Sequence, residues 1–205
     1  MDERYKQPLL AYNAVYHIYN CGINGGDIFH SEEDYNRFLQ KVNKYILPIA
    51  DMYAWCLLSN HFHFLLKIKK EDTIISMKEA GIFDYKKKNK DMEDKPLDIT
   101  NQFSHLFNSH AQYYNNKYKR HGSLLEHTFK RTKIENREDF KRCLIYIHQN
   151  SLKHKLANDI RDYPYTSFGQ YFSETSSNIK KKTALKLFDG LADFEKSHES
   201  LVVLA

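Results

Sequence analysis

The sequence predicts an α+β domain, and three observations predict it. Apolar residues recur with period two in some segments and with helical spacing in others. The segments follow the order strand, helix, strand, strand, helix, strand, helix. The two central strands are joined by Ser59-Asn60 alone, a pair suited to a tight turn, which makes them an antiparallel hairpin. The first six segments give βαββαβ, the order of a ferredoxin-like domain, a mostly antiparallel sheet carrying helices on one face. A further helix and a C-terminal extension follow.

In chain order, residues 14–19 alternate as a first strand, with Val15, His17 and Tyr19 against Ala14, Tyr16 and Ile18. Residues 21–27 form a loop with three glycines but no GxGxxG spacing, so it is not a phosphate-binding fingerprint. Ser31-Glu32-Glu33-Asp34 opens a helix with an N-cap residue and first-turn acids. Its stripe is Tyr35, Phe38, Leu39, Val42, Tyr45 and Ile46, and it ends near Pro48. Strands follow at 53–58 and 62–68.

Residues 69–100 change character. Lys86-Lys87-Lys88-Asn89-Lys90 sits among acids, and the stretch reads as an exposed insertion. Residues 100–118 return to helical period through Phe103, Leu106, Phe107, His110, Tyr113 and Tyr114, with Gly122 as terminator. Residues 127–135 are a fourth strand. Asn136-Arg137-Glu138-Asp139 opens the last strong helix, with Phe140, Cys143, Leu144 and Ile147 as its core stripe. Residues 158–172 are turn-rich and aromatic. A polar stretch at 173–182 precedes a weak helix over 183–195. One domain therefore spans 1–172, with 173–205 as a tail.

The chain of 205 residues is long enough for one domain with a core. Its three cysteines are odd in number and widely spaced, which fits a reducing compartment and no disulfide framework. Residues 1–7 are charged and lack an apolar signal core, and no apolar run is long enough for a bilayer. The expectation is a cytoplasmic protein with no membrane partner. The net charge of +5 suits an anionic partner without naming one.

The chemistry gathers at His61-Phe62-His63-Phe64. Alternation puts Phe62, Phe64, Leu66 and Ile68 on one face and His61, His63, Leu65 and Lys67 on the other. Two imidazoles at i and i+2 project side by side and suit one shared metal ion. On the last helix, Tyr146 and Asn150 are i and i+4 and lie on one face about a turn apart, at the edge of the core stripe. His148 points nearly the other way. Asn150 could supply a third ligand through its amide oxygen, and an N,N,O set with open positions suits Mg²⁺ or Mn²⁺ bridged by a phosphate oxygen. Tyr146 is then a nucleophile whose phenol, with an ordinary pKa of about 10, needs a polarised phosphate.

Two stretches carry a resemblance. Asn60-His-Phe-His-Phe-Leu-Leu resembles the His-hydrophobe-His motif of the single-tyrosine HUH transposases. Tyr146-Ile-His-Gln-Asn150 resembles the tyrosine-helix motif of their REP-associated tyrosine transposase branch. The likeness runs from about residue 16 to 171. It includes Tyr16-His-Ile-Tyr-Asn20, Ile28-Phe29, Gly122-Ser-Leu-Leu, Phe129-Lys130 and Tyr163-Pro-Tyr-Thr-Ser-Phe168.

The resemblance implies His61 and His63 as metal ligands, Asn150 as the third and Tyr146 as the nucleophile. It also implies cleavage and rejoining of single-stranded DNA through a 5′-phosphotyrosine, with hairpin recognition. The chain departs from the family pattern at Ser59, Ser151 and residues 125–128. The last departure touches hairpin preference.

Lys117, Lys119, Arg120, Lys130, Arg131 and Lys133, interleaved with Tyr113, Tyr114 and Tyr118, are the residue types of a path for single-stranded or hairpin DNA. Each also reads as a solvated basic face. One nucleophilic tyrosine per chain leaves a monomer acting in sequence and a homodimer both open. A non-catalytic hairpin-binding regulator and a ferredoxin-like RNA-binding module are the alternative readings.

Overall fold

The computed structural model of the chain describes residues 9–76, 78–80, 95–175, 177–200 and 204. Strands β1 (Val15–Cys21), β2 (Ala50–Leu57), β3 (His61–Ile68) and β4 (Lys130–Ile134) form one sheet in the order β2-β3-β1-β4. Each neighbouring pair is antiparallel. The order is that of the ferredoxin-like α+β domain, and the described sheet is antiparallel throughout. Helix α1 (Glu32–Tyr45) links β1 to β2, α2 (Ile99–Lys117) lies between β3 and β4, and α3 (Arg137–His148) follows β4.

The two faces of the sheet are covered differently. Phe62, Phe64, Leu66 and Ile68 of β3 are all fully buried. Phe38 of α1 lies with its ring centroid 5.3 Å from that of Phe62, and Phe107 of α2 lies 5.7 Å from Phe62. The opposite face meets α3, where Phe140 packs edge-on against Tyr53 at 5.0 Å. Tyr53 sits at a bulge in β2, where the register with β3 shifts between Met52 and Ala54.

Local signals explain the element ends. Asp34 accepts the amides of His30 (2.8 Å) and Ser31 (3.0 Å), closing the first turn of α1. Asp98 caps α2 by accepting the amide of Asn101 at 2.7 Å. Helix α2 stops earlier than the Gly122 signal suggests. Lys119 takes the left-handed position (φ 54°), and the Arg120 amide bonds the Asn115 carbonyl at 2.9 Å, a Schellman closure with lysine where glycine is usual.

The ends of the 69–100 insertion are pinned together by a Ser76–Pro96 bridge and a 3.1 Å bond from the Leu97 amide to the Ile75 carbonyl. Its lysine-rich stretch at 86–90 lies outside the described residues. Beyond α3, Asn150–Lys153 forms a one-turn helix, α4. The weak helix expected over 183–195 is two pieces, α5 (Lys181–Leu185) and α6 (Leu191–Lys196), parted at Gly190 with φ 92°.

This segment shares the core of the preceding residues. Phe194 is fully buried and stacks on Tyr171 at 4.3 Å, and the Lys180 amide donates to the Met52 carbonyl at 2.7 Å along the edge of β2. No helix among the described residues is long and apolar enough to cross a membrane.

Candidate functional site

The turn before β3 is held from several sides. The amides of Ile28 and Phe29 both donate to the Ser59 carbonyl (2.7 and 2.9 Å), and the Gly22 amide donates to the Asn60 carbonyl (2.8 Å). A Cβ on Gly22 would stand 1.9 Å from the Gly26 carbonyl oxygen, so only glycine fits this approach. At the other flank, Tyr163 donates its hydroxyl to the Leu57 carbonyl at 2.7 Å, and the Leu57 amide donates to the Tyr165 carbonyl at 2.9 Å. Several segments singled out in the sequence thus meet at this hairpin as a clamp.

His61 and His63 leave the clamp on the same face, with ring centroids 5.1 Å apart and planes at 89°. His61 is half-buried and His63 is 6% exposed. The Asn60 side chain donates its amino group to the Gly25 carbonyl (3.2 Å), which turns its carbonyl oxygen toward His61. His61 donates Nδ1–H to that oxygen at 2.7 Å, so its Nε2 carries the lone pair. His63 Nδ1 lies 2.9 Å from His17 Nε2. Burial lowers the pKa of His61 to about 4, with His154 adding to the effect, and lowers His63 well below its ordinary value. Both rings are therefore neutral at physiological pH, the state a metal ligand needs.

Tyr146 projects from α3 over the same face. Its ring meets His63 edge-on at 5.7 Å and His17 at 6.0 Å. Burial raises the Tyr146 pKa, so the phenol is protonated near neutrality. The ammonium of Lys153 stands 4.0 Å from the centroid of the Tyr146 ring. A cleft of about 450 Å³ opens here, lined by His17, Tyr19, His63, Thr132, Arg142 and Tyr146. That volume falls in the ~300–1,000 Å³ range of small-ligand clefts.

Asn150 departs from the continuous-helix expectation. Helix α3 ends at His148, and Gln149 is the junction to α4, which begins at Asn150. Gln149 donates its side-chain amide to the carbonyls of His198 and Ser200, both at 2.8 Å, so the C-terminal segment holds the junction. Asn150 is 1% exposed and donates Nδ2–H to the Tyr146 carbonyl at 2.8 Å. Only its amide oxygen is left as a ligand atom. Among the described residues, no three His, Cys, Asp or Glu side chains gather closely enough to hold an ion. The residues that could hold a metal are the two neutral imidazoles with an oxygen of another kind, a set that would suit a weakly bound Mg²⁺ or Mn²⁺.

His148 lies on the other side of α3, fully buried. It makes a 3.0 Å contact with His198 Nε2 and a 2.8 Å contact with Ser167 Oγ.

The basic residues divide. Lys117 forms ion pairs with Asp34 (2.8 Å) and Glu33 (2.7 Å), and Tyr113 and Tyr118 also donate hydroxyls to Asp34. Asp34 is fully buried. Burial alone would raise its pKa, but Lys117, the His30 amide, Tyr118 and the Ser31 amide together hold it well below the usual range. Lys117 is thus the counter-ion of a buried carboxylate. Tyr114, read in the sequence as a base-stacking group, is 1% exposed and donates its hydroxyl to the Asp27 carbonyl.

Lys119 and Arg120 are exposed, Arg120 bonding Asn115 and the Ser123 carbonyl. On β4, Lys130 pairs with Tyr19 and Thr132 with His17, so both share the histidine face. Arg131 alternates to the other face, its guanidinium 4.9 Å over Phe129. Lys133, opposite Tyr16, stems from the same face as Arg131, but it is exposed, pairs with Glu135 at 3.0 Å and borders the cleft at the sheet edge.

Three groups beside the Tyr146 and histidine rings were not singled out for the site in the sequence. His17 had a signal: it alternates with Tyr16 and Ile18, and the ferredoxin-like order puts β1 beside β3. Lys153 is seven residues, two turns, after Tyr146. His154 is exposed, with its ring 4.7 Å from that of His61. It gave no signal, because the break at Gln149 decides where it goes.

No family model and no curated protein matches the sequence. Among solved structures, the chain is similar to a REP-associated tyrosine transposase bound to a REP hairpin, with a TM-score of 0.57. The likeness covers 85% of this chain and 87% of that one, and 13% of positions are identical. The chain therefore shares its fold with a REP-associated tyrosine transposase over most of its length.

Proposed function

We propose that the chain is a metal-dependent transposase or endonuclease for single-stranded DNA, of the single-tyrosine HUH type, which recognises a DNA hairpin. The observation that carries this reading is the juxtaposition, at one cleft, of Tyr146 with His63, whose ring neighbours that of His61 on the same face. The shared fold supports it.

His61 Nε2, His63 and the Asn150 amide oxygen would hold Mg²⁺ or Mn²⁺. Such an ion supplies charge that polarises a phosphodiester oxygen and steadies the leaving group. The chain's own residues do the rest. The α3 backbone and the packed rings of His17 and His63 orient the Tyr146 phenol for in-line attack. The Tyr146 Oη–P bond forms as the P–O3′ bond breaks. The phenol proton leaves, and the 3′ oxygen takes up a proton to end as a free hydroxyl. Lys153, against the Tyr146 ring, favours the developing negative charge on the phenol oxygen. The covalent link keeps the energy of the phosphodiester, so rejoining to another 3′-OH needs no nucleotide cofactor.

Lys119, Arg120, Lys130 and Lys133 supply the positive groups along the DNA path, while Lys117 is retained by Asp34. A chain with one nucleophilic tyrosine acts twice in sequence or pairs with a second copy. Incubation of the protein with a labelled single-stranded hairpin and Mn²⁺ is expected to yield an SDS-stable protein–DNA adduct that EDTA abolishes. Tight hairpin binding with no adduct at any metal concentration would assign the chain to non-catalytic recognition instead.

A further inference from the structure

Two histidines that share a metal must each present an unprotonated nitrogen to it. For His61 the choice is made by Asn60, whose side-chain oxygen can only accept. For His63 the partner is a second imidazole, and two proton arrangements satisfy the 2.9 Å contact with His17 Nε2. In one, His63 donates Nδ1–H to His17. In the other, His17 donates Nε2–H and His63 carries its own proton on Nε2. Only the first leaves the His63 Nε2 lone pair open to a metal.

We propose that His17 is the positioning residue of His63. It accepts the Nδ1–H of His63 at its own Nε2, keeps its own proton on Nδ1, and so holds His63 with the Nε2 lone pair toward the ion. The inference rests on the metal-dependent reading above and extends it to a residue on a different strand.

The placement follows from the sheet. Tyr19 and His63 are paired across β1 and β3, so His17, two residues from Tyr19, is the diagonal neighbour of His63 on the same face. Its ring meets that of His63 edge to edge, with centroids 5.1 Å apart and planes at 26°, and the Tyr146 ring crosses it at 72° with centroids 6.0 Å apart. His17 is 6% exposed, so its ring is held in place against His63. Metal-bound histidines commonly donate their second N–H to a carboxylate or carbonyl, which fixes the ring and raises its basicity. Here one histidine uses an amide oxygen and the other a neutral imidazole.

The test uses the full chain in two measurements. Long-range ¹H–¹⁵N correlation on metal-free protein reads which His63 nitrogen is protonated. Mn²⁺ titration by electron paramagnetic resonance reads affinity in wild type, His17→Leu and His17→Gln. The expected results are a protonated Nδ1 on His63 in wild type, about 10–100-fold weaker Mn²⁺ binding in His17→Leu, and affinity close to wild type in His17→Gln, whose side-chain oxygen can accept.

A proton on His63 Nε2 in wild type, or unchanged Mn²⁺ affinity in His17→Leu, overturns the proposal. If wild type binds no Mn²⁺, the metal reading fails and the nitrogen correlation alone decides the role of His17. If His17→Leu does not fold, wild type and His17→Gln decide it: Nδ1–H on His63 in both upholds the proposal, and Nε2–H in either overturns it.

Discussion

The two faces of β3 differ by one residue of register and by everything else. Phe62 and Phe64 point into an aromatic layer with Phe38 and Phe107, where rings meet rings. His61 and His63 point the other way, His63 toward Tyr146 and a cleft, and each has one nitrogen engaged by a chosen partner. Period-two alternation lets one strand serve as core and as site, with the core side holding the site side in place. The clamp on the Ser59–Asn60 turn sets the register, and a slip of one residue would exchange the two faces.

Substitutions on the two faces should therefore separate stability from chemistry. Phe64→Ala is expected to cost about 3–5 kcal/mol, read as a fall in the urea midpoint, with adduct yield per folded molecule retained. His61→Ala is expected to do the reverse: adduct falls below detection while stability shifts by about 1 kcal/mol or less. A Phe64→Ala protein that stays folded yet loses cleavage would show that the faces are not separable.

Acid should weaken both sides of the sheet. Burial lowers the pKa of His110, on α2, and of His198, behind α3, to about 4. The unfolded chain, with histidines near 6.5, then binds more protons than the folded one between these values. Stability is full above pH 6.5 and declines as the pH falls toward 4, by up to about 1.4 kcal/mol per pH unit for each such group. Urea midpoints at pH 7.5, 6 and 5 measure this. A flat profile would contradict the neutral, buried state of these rings.

The smallest effect is on β4, where the same alternation sorts the basic residues. Lys130→Ala is expected to weaken hairpin binding about equally across sequences and to lower the salt slope by about 1. Arg131→Ala should leave the slope unchanged, because Arg131 lies over Phe129 on the other face. Equal slopes in the two variants would remove Lys130 from the DNA path.

What the sequence disclosed follows from how local each signal is. The alternation of β3, the two-residue turn, the first-turn acids of α1 and the βαββαβ order depend on neighbours, and they were legible. Contacts between distant segments were not. Lys117 reads as a DNA-binding lysine until Asp34, far away in the chain, is seen to need a counter-ion. Tyr114 reads as a stacking residue until α2 packs it against the loop at Asp27. The break at Gln149 depends on hydrogen bonds to residues 198 and 200. His17 was partly legible, since the sheet order places it beside β3, but the proton arrangement it imposes needs the 2.9 Å contact.

The central claim is that Tyr146 is the nucleophile, and one comparison tests it most directly. Wild type and Tyr146→Phe are incubated with a labelled single-stranded hairpin and Mn²⁺, and any adduct is mapped to its peptide. The substitution removes one oxygen that no described hydrogen bond uses, so packing and hairpin binding should persist. The predicted result is an adduct on the peptide containing residue 146 in wild type and none in the variant. An undiminished adduct in Tyr146→Phe, or a labelled peptide lacking residue 146, would contradict the account.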